Sequence, residues 1–287
     1  GDHRDLHLSI RRQRQMCIRD SSSSHDNMSF LEHLEELRWH IIRSLIAIIS
    51  AGFICFLMKD FIFDTIIFGP KKMDFPTYKF LCQAATFIGV ETTFCGDEFP
   101  FIVQNRTMAG QFSAHVMTSI ISGFIISFPY ILYEFWKFIS PGLLEKEKAK
   151  SRGFIFISSL LFFIGVLFGY YIISPLSINF LGTYQVSSQV LNEIDLGSFI
   201  SLVRSSAIAS GIIFELPIII YFLTKAGVVT PESLVKYRKY ALVLVLVLAA
   251  IITPPDVASQ IIVAIPIVVL YQVSIFISRI VVKNQAK

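Results

Sequence analysis

MSFLEHLEELRWHIIR, residues 28–43, decides the reading of the fold, because an acidic amphipathic stretch runs there without a break into the first long apolar segment. Ser29 followed three residues later by Glu32 forms a capping box, which satisfies backbone donors at both positions, so a helix is expected to begin here. At about 100° per residue, Phe30, Leu31, Leu34, Leu37 and Ile41 collect on one side and Glu32, Glu35 and Glu36 on the other. Glu32 and Glu36 are like charges at i, i+4, a mildly unfavourable pairing unless a cation approaches. Such a helix belongs at a membrane surface and calls for a cationic partner.

The composition agrees. Of 287 residues 54% are hydrophobic and 16% charged, 27 are Phe, and the mean hydropathy is +0.63. A water-soluble chain of this length would carry more charge and would lack repeated apolar runs near the roughly 20 residues that cross a bilayer core of about 30 Å. The net charge of +4 does not point to nucleic acid, since the basic residues sit in short connections between apolar runs. Residues 1–27 are polar, show no periodic apolar face and end in a Ser run; they read as a disordered or non-native tail, with Met28 able to serve as initiator. Arg11 and Arg12 there are followed by no apolar stretch of the kind a signal peptide needs.

Six apolar segments follow, at about 39–58, 116–138, 153–174, 199–223, 240–252 and 257–282. They predict an all-α integral membrane protein, a single six-span domain over residues 28–282 with a short tail at 283–287. The side holding the N terminus carries 19 of the 25 Lys and Arg residues, and only Lys59, Lys71, Lys72, Lys79, Arg106 and Arg204 lie opposite. The positive-inside rule then puts both termini in the cytoplasm. The fifth segment is short, about 20 Å as a helix, and the TPPD turn at 253–256 follows at once, so the last two segments are expected to form a short hairpin. The first outer connection contains Cys82 and Cys95, which in an oxidising compartment could close a small loop or remain two free thiols.

Polar groups within the apolar segments are expensive and therefore informative. Glu215, two residues before Pro217, lies near the middle of the fourth segment; it reads either as a functional acid or as a hydrogen-bonded link between helices. Pro217 should kink that segment. Gln260 and Gln272 are of the type that bonds between helices. His33, Glu36 and His40 share a face, but seven residues of helix part the imidazoles by about 10.5 Å, too far for one metal ion. Neither a phosphate-binding Gly-rich loop nor a hydrolase motif occurs.

SFLEHLEELR at 29–38, FPYILYEFWKFISPGLLEKEK at 128–148, FELP at 214–217 and TPPDVASQ at 253–260 together resemble the signature segments of the TatC family, the multispan subunit of the twin-arginine protein translocase. The resemblance runs from Met28 to Val282, and the first outer connection looks longer than is usual for that family. It implies a non-enzymatic receptor in the bacterial cytoplasmic (inner) membrane for folded proteins whose signal peptides carry two consecutive arginines, driven by the proton-motive force and without a bound cofactor or metal. By motif it assigns signal-peptide binding to Glu36, Arg38, Phe138 and Glu147, a buried acid to Glu215 and an outer turn to Pro254, Pro255 and Asp256, and Glu215 and Gln260 are the polar groups within the membrane that a partner could meet. It further implies TatA- and TatB-type single-span partners and self-association within the lipid bilayer. Carboxylates suit arginine pairs, because a guanidinium offers a planar fork of donors where lysine offers a point charge. Glu147 taken alone also fits a solvated helix face in the EKEKAK run. The reading from another class is an ion-coupled secondary transporter with Glu215 as coupling site; it predicts internal repeats, and the two halves show none. A scaffold without ligand would leave Glu36 and Glu147 dispensable.

Overall fold

The computed structural model describes residues 30–89, 95–96, 99–139, 151–187, 189–252 and 257–285. The tail at 1–27, Glu147 and the turn Pro254, Pro255 and Asp256 lie outside these, as do the side chains of the capping box.

Helix α1 (Phe30–Leu57) leads into an outer segment containing a π-helical turn (Phe61–Ile67), α2 (Pro76–Ile88) and strand β1 (Phe101–Gln104). Helix α3 (Gly110–Ile139) returns through the apolar layer. Helix α4 (Ser151–Phe168) continues through a π-helical turn (Gly169–Ile173) into α5 (Ser174–Thr183), and β2 (Asn192–Asp195) precedes α6 (Leu196–Phe214). Then come α7 (Leu216–Lys225), α8 (Pro231–Lys236), α9 (Arg238–Ile252) and α10 (Val257–Gln285). Among the described residues five stretches are long and apolar enough to cross a membrane: Glu35–Leu57, Gly110–Ile139, Gly153–Thr183, Leu196–Lys225 and Ser259–Lys283. Helix α9, with 15 residues, reaches about 22 Å and falls short of the bilayer core.

The spans meet through small residues, as expected where lipid removes the hydrophobic drive for association and close packing must replace it. At the crossing of α1 and α3 a side chain on Gly123 would come within 2.5 Å of the Gly52 nitrogen, so only glycine fits there. Four residues on, Ser127 Oγ donates to the Ala47 carbonyl at 2.9 Å and ties the same pair. Thr224 and Ser278 hydroxyls, 2.9 Å apart, join α7 to α10, while Val245 and Ala249 of α9 pack on Val263, Ala264 and Ile267 of α10.

The expected all-helical architecture needs one correction. Strands β1 and β2 form a parallel two-stranded ribbon in which Phe101 faces Asn192 and Gln104 faces Asp195, and the outer connection is folded rather than a plain loop. Burial of Phe101 against Phe99, and of Phe99 against Tyr78, supplies the apolar contacts that short strands lack alone. Tyr78 is fully buried, which pushes its phenol above its ordinary range, and its hydroxyl lies 2.9 Å from the Pro70 carbonyl and 3.0 Å from that of Pro175. The outer segment is thereby pinned to the end of the third span. The sulfurs of Cys82 and Cys95 stand at bonding distance, 2.14 Å, with Cα atoms 5.2 Å apart. Asp195 ends β2 and caps α6, accepting from Gly197 N at 2.9 Å and Ser198 N at 3.2 Å.

Candidate functional site

The end of α3 farthest from the ribbon is where sequence-assigned residues converge. On α1, Glu36 and His40 are one turn apart on one face, and Arg43 follows within the same 60° sector. On α3, Glu134 and Phe138 are likewise one turn apart. The two faces meet at a short contact: His40 Nδ1 lies 2.6 Å from Glu134 Oε2. Glu134 is 2% exposed and His40 8%, so the pair is sealed from water. Arg43 Nη1 stands 3.8 Å from the same oxygen, which makes the carboxylate the acceptor and His40 the donor. The His40 ring also meets the Phe138 ring edge-on, centroids 6.2 Å apart. A buried charge is tolerated only when paired and hydrogen-bonded, and here two cation-forming groups share one carboxylate.

This arrangement puts Glu36 one turn beyond the clamp on α1 and Phe138 one turn beyond it on α3. Arg38 does not join them. It is exposed, about 200° around α1 from Glu36, and its guanidinium lies 5.5 Å from the centre of the Trp39 ring. Behind Phe138, Trp136 is buried against Phe154 of α4 at 4.7 Å and Phe222 of α7 at 6.1 Å, so this end of α3 is held from two sides.

Sequence reasoning missed Glu134. The signal was present, since Glu134 lies inside the second apolar segment, where an ionisable residue is costly by default. From the sequence, His40 reads only as a metal-ligand candidate, with its partner 94 residues away. Among the described residues no group of three or more His, Cys, Asp or Glu could hold a metal ion.

Glu215 lies in a second, deeper setting. It interrupts the fourth span: α6 stops at Phe214 and α7 starts at Leu216, because Pro217 has no N–H to give and cannot continue the ladder. Ser158 Oγ donates to Glu215 Oε2 at 2.6 Å across to α4. The other oxygen, Oε1, is buried and has no partner among the described residues. Gln260 is not drawn to it; its Nε2 donates to the Leu246 carbonyl at 3.0 Å and bridges α9 to α10.

A family model described as Sec-independent protein translocase protein (TatC) matches residues 32–266. The chain is 46% identical over 261 residues to the Sec-independent protein translocase protein TatC of Blattabacterium sp. subsp. Periplaneta americana, covering 91% of this chain and 98% of that protein. Its likeness to the protein of the same name from Aquifex aeolicus is 36% over 261 residues, covering 90% and 98%. Two crystal structures of the twin arginine translocase receptor TatC superpose on the fold. One has a TM-score of 0.64 at 33% identity, covering 88% of this chain and 100% of that one, and the other, in DDM, has 0.66 at 36%, covering 85% and 98%.

Proposed function

Because the chain belongs to the TatC family of Sec-independent protein translocase proteins, we propose that it is the signal-peptide-binding core subunit of a twin-arginine translocation system. It is an integral membrane component of a protein translocase and not an enzyme. Membership of that family displaces the ion-coupled transporter reading, and Glu215 becomes a group for partner helices rather than for a small solute.

In this reading the arginines of the signal are taken up at the cytoplasmic rim by the carboxylates of Glu36 and Glu147, with Phe138 beside them and Arg38 flanking. The observation that carries it is the His40–Glu134 contact, which fixes the α1 face bearing Glu36 against the end of α3 bearing Phe138. Charge distribution supports a six-span topology with both termini in the cytoplasm, α9 and α10 forming a short hairpin through Pro254, Pro255 and Asp256. TatA- and TatB-type single-span proteins would dock near that hairpin and near Glu215. Export of folded cargo would run across the bacterial inner membrane on the proton-motive force, with several copies of the chain in one receptor complex.

Photocrosslinking tests the assignment. Probes at Phe138 and beside Glu36, in membranes containing the protein, should capture a radiolabelled signal with Arg-Arg at least about tenfold better than the Lys-Lys version. Glu36→Ala and Glu147→Ala should each abolish capture. Equal labelling by both signals, or wild-type capture by both variants, would end the proposal.

A further inference from the structure

A cavity of about 650 Å³ opens between α3, α4 and α6 on the ribbon side of the molecule, away from the His40–Glu134 clamp. Its walls are mainly apolar, with Ile121, Ile125 and Val166 along the sides, and two of its polar groups lack partners. Arg204 is half-buried in the wall and makes no ion pair among the described residues. Thr118 is 2% exposed, and its Oγ1 has no hydrogen-bond partner among them. The other fixed charges of the lining, Lys72 and Asp74, cancel, so the excess charge of the cavity is that of Arg204.

The two polar groups lie at one depth. Thr118 is eight residues from the start of the span Gly110–Ile139 and Arg204 eight from the start of Leu196–Lys225, about 12 Å along each axis. Each of these 30-residue stretches is about 45 Å long against a core of about 30 Å, so a centred core begins roughly 7 Å from each end. Arg204 then starts a few ångströms inside the hydrocarbon, and its long side chain reaches the level of lipid phosphates. A guanidinium there needs an anion, and the buried hydroxyl at the same depth needs an acceptor.

We propose that this cavity is a binding site for one anionic phospholipid of the leaflet on the ribbon side. The phosphate pairs with Arg204, Thr118 donates to a phosphate or ester oxygen, and an acyl chain lies along Ile121, Ile125 and Val166. Charge and depth favour a phospholipid, because the one excess cation of the cavity reaches the level of lipid phosphates and the walls below it are apolar. The bidentate geometry of a guanidinium on a phosphate supplies the selectivity.

The test is photolabelling of the full chain in nanodiscs containing phosphatidylglycerol with a diazirine in its acyl chain, adducts being mapped by mass spectrometry. A matched phosphatidylcholine probe serves as control. The wild type should place phosphatidylglycerol adducts in residues 121–126 and 166–171, falling about tenfold in Arg204→Ala and less in Arg204→Lys. Thr118→Val, nearly isosteric, should lower them about threefold without altering the melting temperature of the protein. Equal labelling by the two lipids, or unchanged adducts in Arg204→Ala and Thr118→Val, would overturn the proposal. Replacement of the adducts by an excess of twin-arginine signal peptide would overturn it in favour of the signal's apolar segment.

Discussion

Glu134 and Glu215 are the two carboxylates buried within spans among the described residues, and each has a hydrogen bond of 2.6 Å, yet they are solvated by the protein in opposite ways. Glu134 is met by a histidine and an arginine, so its charge is answered within the fold. Glu215 is met by one hydroxyl, and Oε1 is left without a partner. Leaving a buried acceptor unmade costs more than a typical hydrogen bond returns. The first carboxylate therefore behaves as a structural clamp, holding two helices in register beneath the proposed signal site. The second holds an unmet acceptor in reserve, which is what a site for a polar group on an incoming helix requires.

The strongest way to break this contrast is to strip the clamp. His40→Ala would leave Glu134 buried with Arg43, itself half in solvent, and the exposed Tyr130 hydroxyl, and should cost about 2–3 kcal/mol, these two partners providing only part of the compensation. Trp136 is buried at the same end of α3, so its fluorescence during SDS titration of the micellar protein reports the loss. The same variant should reduce capture of an Arg-Arg signal at Phe138, since Glu36 and Phe138 lose their common support. An unfolding midpoint equal to wild type would show that the pair is not a clamp.

A smaller effect is expected at the other carboxylate. Ser158→Ala removes the one bond that Glu215 makes across to α4 and should cost about 1–2 kcal/mol, the penalty of an unmet buried acceptor. The measurement is the same titration. A cost equal to that of His40→Ala would mean that Glu215 is as firmly built into the fold as Glu134, and the contrast would fail.

The two settings also differed in how far the sequence disclosed them. Glu215 stood out because ELP at 215–217 sets an acid and a proline together inside an apolar run, and the helix does break there. The short α9 was visible in the same way, from too few apolar residues before a proline turn. Glu134 and His40 are 94 residues apart in different segments, and only the crossing of α1 and α3 at Gly52 and Gly123 brings them together. The ribbon was hidden for a related reason. FIVQ and NEID are too short to show a period-two pattern, and neither is stable without a partner distant in sequence, so no local signal exists to be read.

The finest test applies one substitution to both sites. Glutamine keeps the shape of glutamate and one oxygen acceptor but removes the charge. At 215 the amide oxygen can still accept from Ser158, and the unmet Oε1 is exchanged for an amide nitrogen equally unmet, so Glu215→Gln should shift stability by less than about 1 kcal/mol. At 134 the same change sets a neutral amide against His40 and Arg43 and converts a charge-assisted bond into an ordinary one, so Glu134→Gln should cost about 1 kcal/mol more. The difference between the two midpoints is the quantity to measure, because any general effect of the substitution cancels in it. Were Glu215→Gln the more costly, the charge at 215 would be answered by a cation within the fold, and the proposed role of the open acceptor toward partner helices would fall.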